Sequence, residues 1–245
     1  IVGLIIFPIF GFYGHISDGF EQKKVRNIKK ENEKYYVSFV NEKKKLSKFR
    51  LNKITSSDNI MVIGDSLASD VVNSLNTQNI KSTRYNLNAP CFKKLLKNGL
   101  ACNKSLEDLV SIALKSKLVI ITSDFGNESS EVYAVNLYNF LKRKDIKSKI
   151  IGGLNFSYVS SSSFRYAKFD YYRNQDIESF YYNNIQPDIF QGNKFLEMEI
   201  GNDYIDKFKF ICNENSKKCE MFTNKYEPIF YDTKHLTVEG YYKFG

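Results

Sequence analysis

Residues 60–64, IMVIG, form an apolar, largely β-branched run that stops at Gly64-Asp65-Ser66. The run reads as a buried strand, and the apolar spacing from Ala68 to Leu75 reads as a helix. The alternation continues along the chain. STRYNL (82–87) is a second strand candidate. SLEDLVSIALK (105–115) is an amphipathic helix, with Ser105 as its cap and Asp108 three residues on, close to a capping box. LVIITSD (118–124) is the strongest strand, residues 129–144 form a helix, and KSKIIGGL (147–154) is a strand ending in Gly-Gly. Strands alternating with helices predict an α/β domain whose parallel sheet is covered on both faces. Ligand sites in such sheets gather beyond the carboxyl ends of the strands. Ser66, Asp124 and the loop after Leu154 are therefore expected on one rim.

Elsewhere the pattern is weaker. Residues 155–200 lack a clean period, and FSYVSSSSFRYAKFDYYRNQ (156–175) is rich in Ser and Tyr. Long irregular segments in compact domains are often functional, so this one either borders a cleft or is a surface insertion. DKFKFIC (206–212) alternates and reads as the last strand, and residues 227–245 as a short apolar run, a loop and a terminal helix. At the front, IVGLIIFPIFGFYG (1–14) is shorter than the about 20 residues that cross a bilayer. It reads as the end of a transmembrane helix, with a signal-peptide remnant and a buried strand as alternatives. Residues 18–50 are dense in Lys and Glu with weak helical spacing. The expected division is a membrane segment over 1–17, a charged, partly helical linker over 18–56, and one folded domain over 57–245.

The chain of 245 residues carries a formal charge of +9, but its Lys are interspersed with Glu. No zinc-finger, RNA-binding aromatic or recognition-helix pattern accompanies the charge, so no nucleic-acid partner is expected. Cys91 and Cys102 form one local pair, Cys212 and Cys219 another; neither has CxxC spacing. With only His15 and His235 in the chain, a structural zinc site is disfavoured. Two short-loop disulfides in an oxidising compartment fit the spacing, against four unrelated cytosolic thiols. No metal or cofactor is expected.

At a strand-to-helix corner Ser66 is either a helix cap or a nucleophile. Gly64 permits a tight turn, and the free N–H groups at a helix start suit an oxyanion. A Ser nucleophile needs a base, and the base needs an orienter. His15 lies beside the membrane-like segment, far from any acidic cluster. His235 stands three residues after Asp232 in DTKH. Asp232 can accept from one ring nitrogen while the other faces Ser66. The competing reading is an Asp cap with a bystander His.

Gly-Asp-Ser after the first strand, combined with Asp-x-x-His-Leu before the last helix, resembles the SGNH hydrolase superfamily of serine esterases and acyltransferases. That resemblance implies a flavodoxin-like three-layer sandwich. It extends to the extracytoplasmic SGNH domains fused behind membrane acyltransferase family 3 domains, which add acyl groups, usually acetyl, to lipopolysaccharide O-antigen and related glycans. The apparent end of a transmembrane helix, the linker, the pair in APCFKKLLKNGLAC, the pair in CNENSKKC and the ending PIFYDTKHLT are similar to that subgroup. The resemblance implies Ser66, His235 and Asp232 as the triad and both cysteine pairs as disulfides. It also implies an acyl donor delivered by a membrane acyltransferase domain, a glycan acceptor, a monomer, and an inner-membrane anchor with the domain in the periplasm. The family's Gly-x-Asn-Asp is missing from TSDFGNESS, where Asn127 is offset, and NLNAPC has no Gly, leaving Asn88 or the backbone near Ala89 as oxyanion donors beside the Ser66 N–H. Asp65 shapes the turn. The alternatives are a carbohydrate O-acetyl esterase and a non-catalytic glycan-binding domain.

Overall fold

The computed structural model describes residues 59–85, 103–125, 128–156, 177–225, 227–230 and 232–245. The membrane-segment and linker expectations, His15, Asn88, Asn127, Cys91, Cys102 and the Ser/Tyr-rich stretch 157–175 lie outside those residues. Among the described residues, no helix is long and apolar enough to cross a membrane.

Strands β1 (Ile60–Gly64), β2 (Ser82–Tyr85), β3 (Leu118–Thr122), β4 (Ser148–Ile151) and β5 (Tyr204–Ile205) form one sheet in the order β2-β1-β3-β4-β5. Every pairing in it is parallel. Helices α1 (Ser66–Thr77), α2 (Asn103–Ala113), α3 (Glu128–Lys142), α4 (Ile177–Asn183) and α5 (Pro187–Ile200) occupy the crossovers. This is the flavodoxin-like order, a three-layer α/β sandwich whose chain reverses direction across the sheet between β1 and β3.

The strands' side chains alternate between the two faces. Val62 and Ile120 pack beneath Ala68 and Val72 of α1. Met61, Ile63, Val119 and Ile121 face the opposite way, onto Leu109 of α2, Leu137 and Leu141 of α3, and Leu196 of α5. A further apolar cluster, with Phe156, Tyr181, Phe208, Phe230 and Tyr241 at its centre, joins the loop beyond β4 to the last third of the chain.

Three expectations need correction. The second helix begins at Asn103, so Ser105 lies inside it and is not its cap. Half of the region read as irregular is helical: α4 and α5 fill 177–200 except for a short break. Pro187 sits in the first turn of α5, where its missing N–H costs nothing. DKFKFIC is not a strand either; Tyr204–Ile205 is the sheet's edge, and Lys207–Ile211 is a short helix, α6. Asp206 caps it by accepting from the N–H groups of Phe208 (2.9 Å) and Lys209 (3.4 Å). Phe208 and Ile211 are buried and Phe210 is 68% exposed, a spacing of three that overrides the apparent alternation.

Cys212 and Cys219 form a disulfide across a small antiparallel pair, β6 (Cys212–Asn213) and β7 (Lys218–Cys219). Asn213 turns the chain between them by accepting from the N–H groups of Asn215 and Ser216, both at 3.0 Å. The terminal helix α7 (Val238–Phe244) is capped by Thr237 and packs on α1.

Candidate active site

The corner after β1 is set by close packing. A Cβ on Gly64 would overlap the Thr122 carbonyl oxygen of β3, so any larger residue would push the two strands apart. Asp65 is the cap of α1: its Oδ1 accepts from the Leu67 N–H at 2.9 Å. Ser66 is the first residue of α1 and is exposed on the rim beyond the strands' carboxyl ends. Ser66 therefore sits at the positive end of the helix dipole.

Asp232 and His235 lie in a loop closed at its base by an isolated bridge between Phe230 and Leu236. The Thr237 N–H donates to the Ile229 carbonyl at 2.8 Å, which pins the same loop from below. Within it, Asp232 Oδ1 accepts from the backbone N–H groups of Lys234 (2.9 Å) and His235 (2.7 Å), an Asx turn. Its other oxygen lies 2.7 Å from His235 Nδ1. His235 Nε2 lies 2.8 Å from Ser66 Oγ. Because a carboxylate only accepts, Nδ1 carries the proton and the Nε2 lone pair faces the hydroxyl.

Burial alone would raise the pKa of Asp232. The hydrogen bonds from the His235 ring and from two backbone N–H groups outweigh it and hold the carboxyl below its ordinary value. Asp232 thus stays ionised to orient the imidazole and to stabilise an imidazolium.

A polar shelf adjoins the triad. Asp65 Oδ2 accepts from the Ser123 hydroxyl and the Asp124 N–H, both at 3.0 Å. Asp124 pairs with Lys234 Nζ and accepts from Asn155 Nδ2 at 3.4 Å. The Phe156 N–H donates to the Thr233 carbonyl at 2.8 Å. Loops after β1, β3 and β4 and the His-bearing turn thus meet on one rim, where Ser66, Asp124 and the loop after Leu154 were expected.

Sequence reasoning missed Ser123, Asn155 and Lys234, whose only signal is their position just past a strand or beside His235. It also missed Asp70, on α1 one turn beyond Ser66. Lys207 follows β5; burial lowers its pKa against the opposing pull of Asp70, Asp124, Asp232 and Asp65. Asn88 and Asn127, named as oxyanion donors, lie outside the described residues, as does the Cys91 and Cys102 pair. Among the described residues no group of three or more His, Cys, Asp or Glu side chains is arranged to hold a metal ion.

No family model matches the chain, and no curated protein matches it. Among solved structures it is similar to one from Streptococcus pneumonia whose description names a platelet activating factor. The similarity covers 85% of this chain and 92% of that one, at 11% identity and a TM-score of 0.43.

Proposed function

We propose that this chain is a serine acyltransferase that moves an acyl group, acetyl by its resemblance to the SGNH family, onto a hydroxyl of a cell-surface polysaccharide such as lipopolysaccharide O-antigen. The observation that carries the chemistry is the continuous relay from Asp232 Oδ2 to His235 Nδ1 (2.7 Å) and from His235 Nε2 to Ser66 Oγ (2.8 Å). Both distances lie within the range for proton transfer by a general base.

The steps follow from that relay. His235 Nε2 takes the hydroxyl proton as Ser66 Oγ bonds to the donor's carbonyl carbon, and the carbonyl π pair moves onto its oxygen. The Ser66 N–H at the start of α1 donates to that oxyanion, a bond typically contributing about 3 kcal/mol. Collapse expels the donor's leaving group, which receives the proton from His235, and leaves acyl-Ser66. A sugar hydroxyl then gives its proton to Nε2 and adds to the acyl carbon. The second collapse transfers the acyl group to the sugar and returns the proton to Ser66 Oγ. Water entering in place of the sugar makes the same site an esterase. The choice of a glycan acceptor, an extracytoplasmic setting and a membrane-delivered donor rests on the family resemblance and on the apolar amino-terminal run.

The test has two readouts. The full chain is expected to hydrolyse a small aryl acetate, and Ser66→Ala to abolish that hydrolysis. In cells carrying the full-length protein, the same substitution is expected to remove acetyl groups from the surface glycan, measured by mass analysis. Hydrolysis that survives Ser66→Ala would overturn the nucleophile assignment. Glycan acetylation unchanged by it would overturn the transferase role.

A further inference from the structure

Asp70 is 1% exposed, yet it carries a carboxylate. It lies on α1 four residues after Ser66, on the same helical face. One oxygen, Oδ2, accepts from the Leu236 N–H at 3.1 Å, and the other, Oδ1, accepts from the Tyr241 hydroxyl at 3.0 Å. Leu236 immediately follows His235, and Tyr241 belongs to α7. One buried side chain on the nucleophile's helix therefore grips the backbone that bears the base.

Building on the triad reading above, we propose that Asp70 is a positioning residue that sets the distance between His235 and Ser66. Asp232 fixes how the imidazole is turned, because it holds Nδ1 and the His235 N–H. Asp232 lies in the same loop as His235, however, and does not itself tie that loop to α1; Thr233 and Lys234 anchor it to the loops after β4 and β3. Asp70 ties it to α1 directly, by a bond from that helix to the peptide next to His235. A displacement of about 1 Å at a reacting pair can cost on the order of 100-fold in rate. Docking of α7 does not depend on Asp70 alone, because Thr77 Oγ1 also reaches the Tyr241 carbonyl, at 3.2 Å. Only 1% of Asp70 is exposed, which leaves water little access to these bonds.

The test compares variants of the full chain by kcat and KM on an aryl acetate and by the rate at which a fluorophosphonate labels Ser66. Asp70→Ser fits the same space but is too short to reach Leu236. It is expected to lower kcat and the labelling rate about 100-fold, with KM within twofold of wild type. Asp70→Asn keeps an oxygen for the Leu236 N–H and an amide that can donate to the Tyr241 oxygen, so it is expected to retain kcat within threefold. Thr77→Val removes the separate tie to α7 and is expected to lower thermal stability while leaving kcat unchanged. Wild-type kcat in Asp70→Ser, or a tenfold or greater loss in Asp70→Asn, overturns the proposal. Ser66→Ala in the same assay separates the two readings: if it retains activity, the triad itself has failed, whereas loss there with an active Asp70→Ser rejects Asp70 alone.

Discussion

Ser123 donates its hydroxyl to Asp65 at 3.0 Å, linking the turns that follow β1 and β3 at the carboxyl edge of the sheet. Asp65 thus serves two elements, capping α1 with one oxygen and receiving the β3 loop with the other. Asp65→Ala should remove a cap worth about 1 kcal/mol and two further bonds, for a total loss of roughly 2–3 kcal/mol. In a domain of this size that corresponds to a fall of about 5–10 °C in Tm, readable by calorimetry. Asp65→Asn, which keeps the cap oxygen, should lose about half as much.

On the proposed mechanism the triad members act on one proton, so their contributions are not additive. Ser66→Ala and His235→Ala should each lower kcat on an aryl acetate by about 10⁴-fold or more. The double substitution should fall no further than the worse single. Rate constants that multiply would mean the two side chains work independently.

Asp232 also ties stability to pH. Its carboxyl titrates below the ordinary 3.8 in the folded protein, so in that window the unfolded chain binds more protons. The stabilisation is complete above the ordinary aspartate value and is lost as pH falls through the lower folded value. Urea midpoints of wild type and Asp232→Asn should therefore differ more at about pH 5 than in stronger acid. The gap should narrow at about pH 3. A gap that widens in acid would contradict this assignment.

The disulfide closes a loop with a sequence separation of 7. Chain entropy alone assigns such a loop roughly 2–2.5 kcal/mol. Replacing both Cys212 and Cys219 by Ser should lower Tm by about 5–10 °C, and reductant should then have no further effect through this pair.

β1 and β3 were legible because a strand buried on both faces must be apolar, and IMVIG and LVIIT are so except for the closing Thr122; the edge strand Tyr204–Ile205 is too short to carry such a pattern. Ser66, His235 and Asp232 could be named because so few residue types can play base and nucleophile, and the chain holds only two His. What the sequence conceals is partnership. Asp70 sits in LASD, where an acid at a helical position resembles any solvent-facing carboxylate; only folding buries it against Leu236 and Tyr241. KFKFI misleads because its alternation is also compatible with a helix burying Phe208 and Ile211, and the preceding Asp206 tips the balance by capping. Residues 177–200 escape notice because the polar face of α5 and the aromatic content of α4 blur the helical period.

The sequence separation of 169 between Ser66 and His235 also bears on how the protein is made. A ribosome that has released β1 and α1 has exposed the serine, whereas His235 follows only after the rest of the sheet has been translated. On the proposed mechanism, that hydroxyl is activated only once the later segment has folded onto α1. A probe specific for activated serines would then label chains that carry the His-bearing turn and pass over those cut short before it.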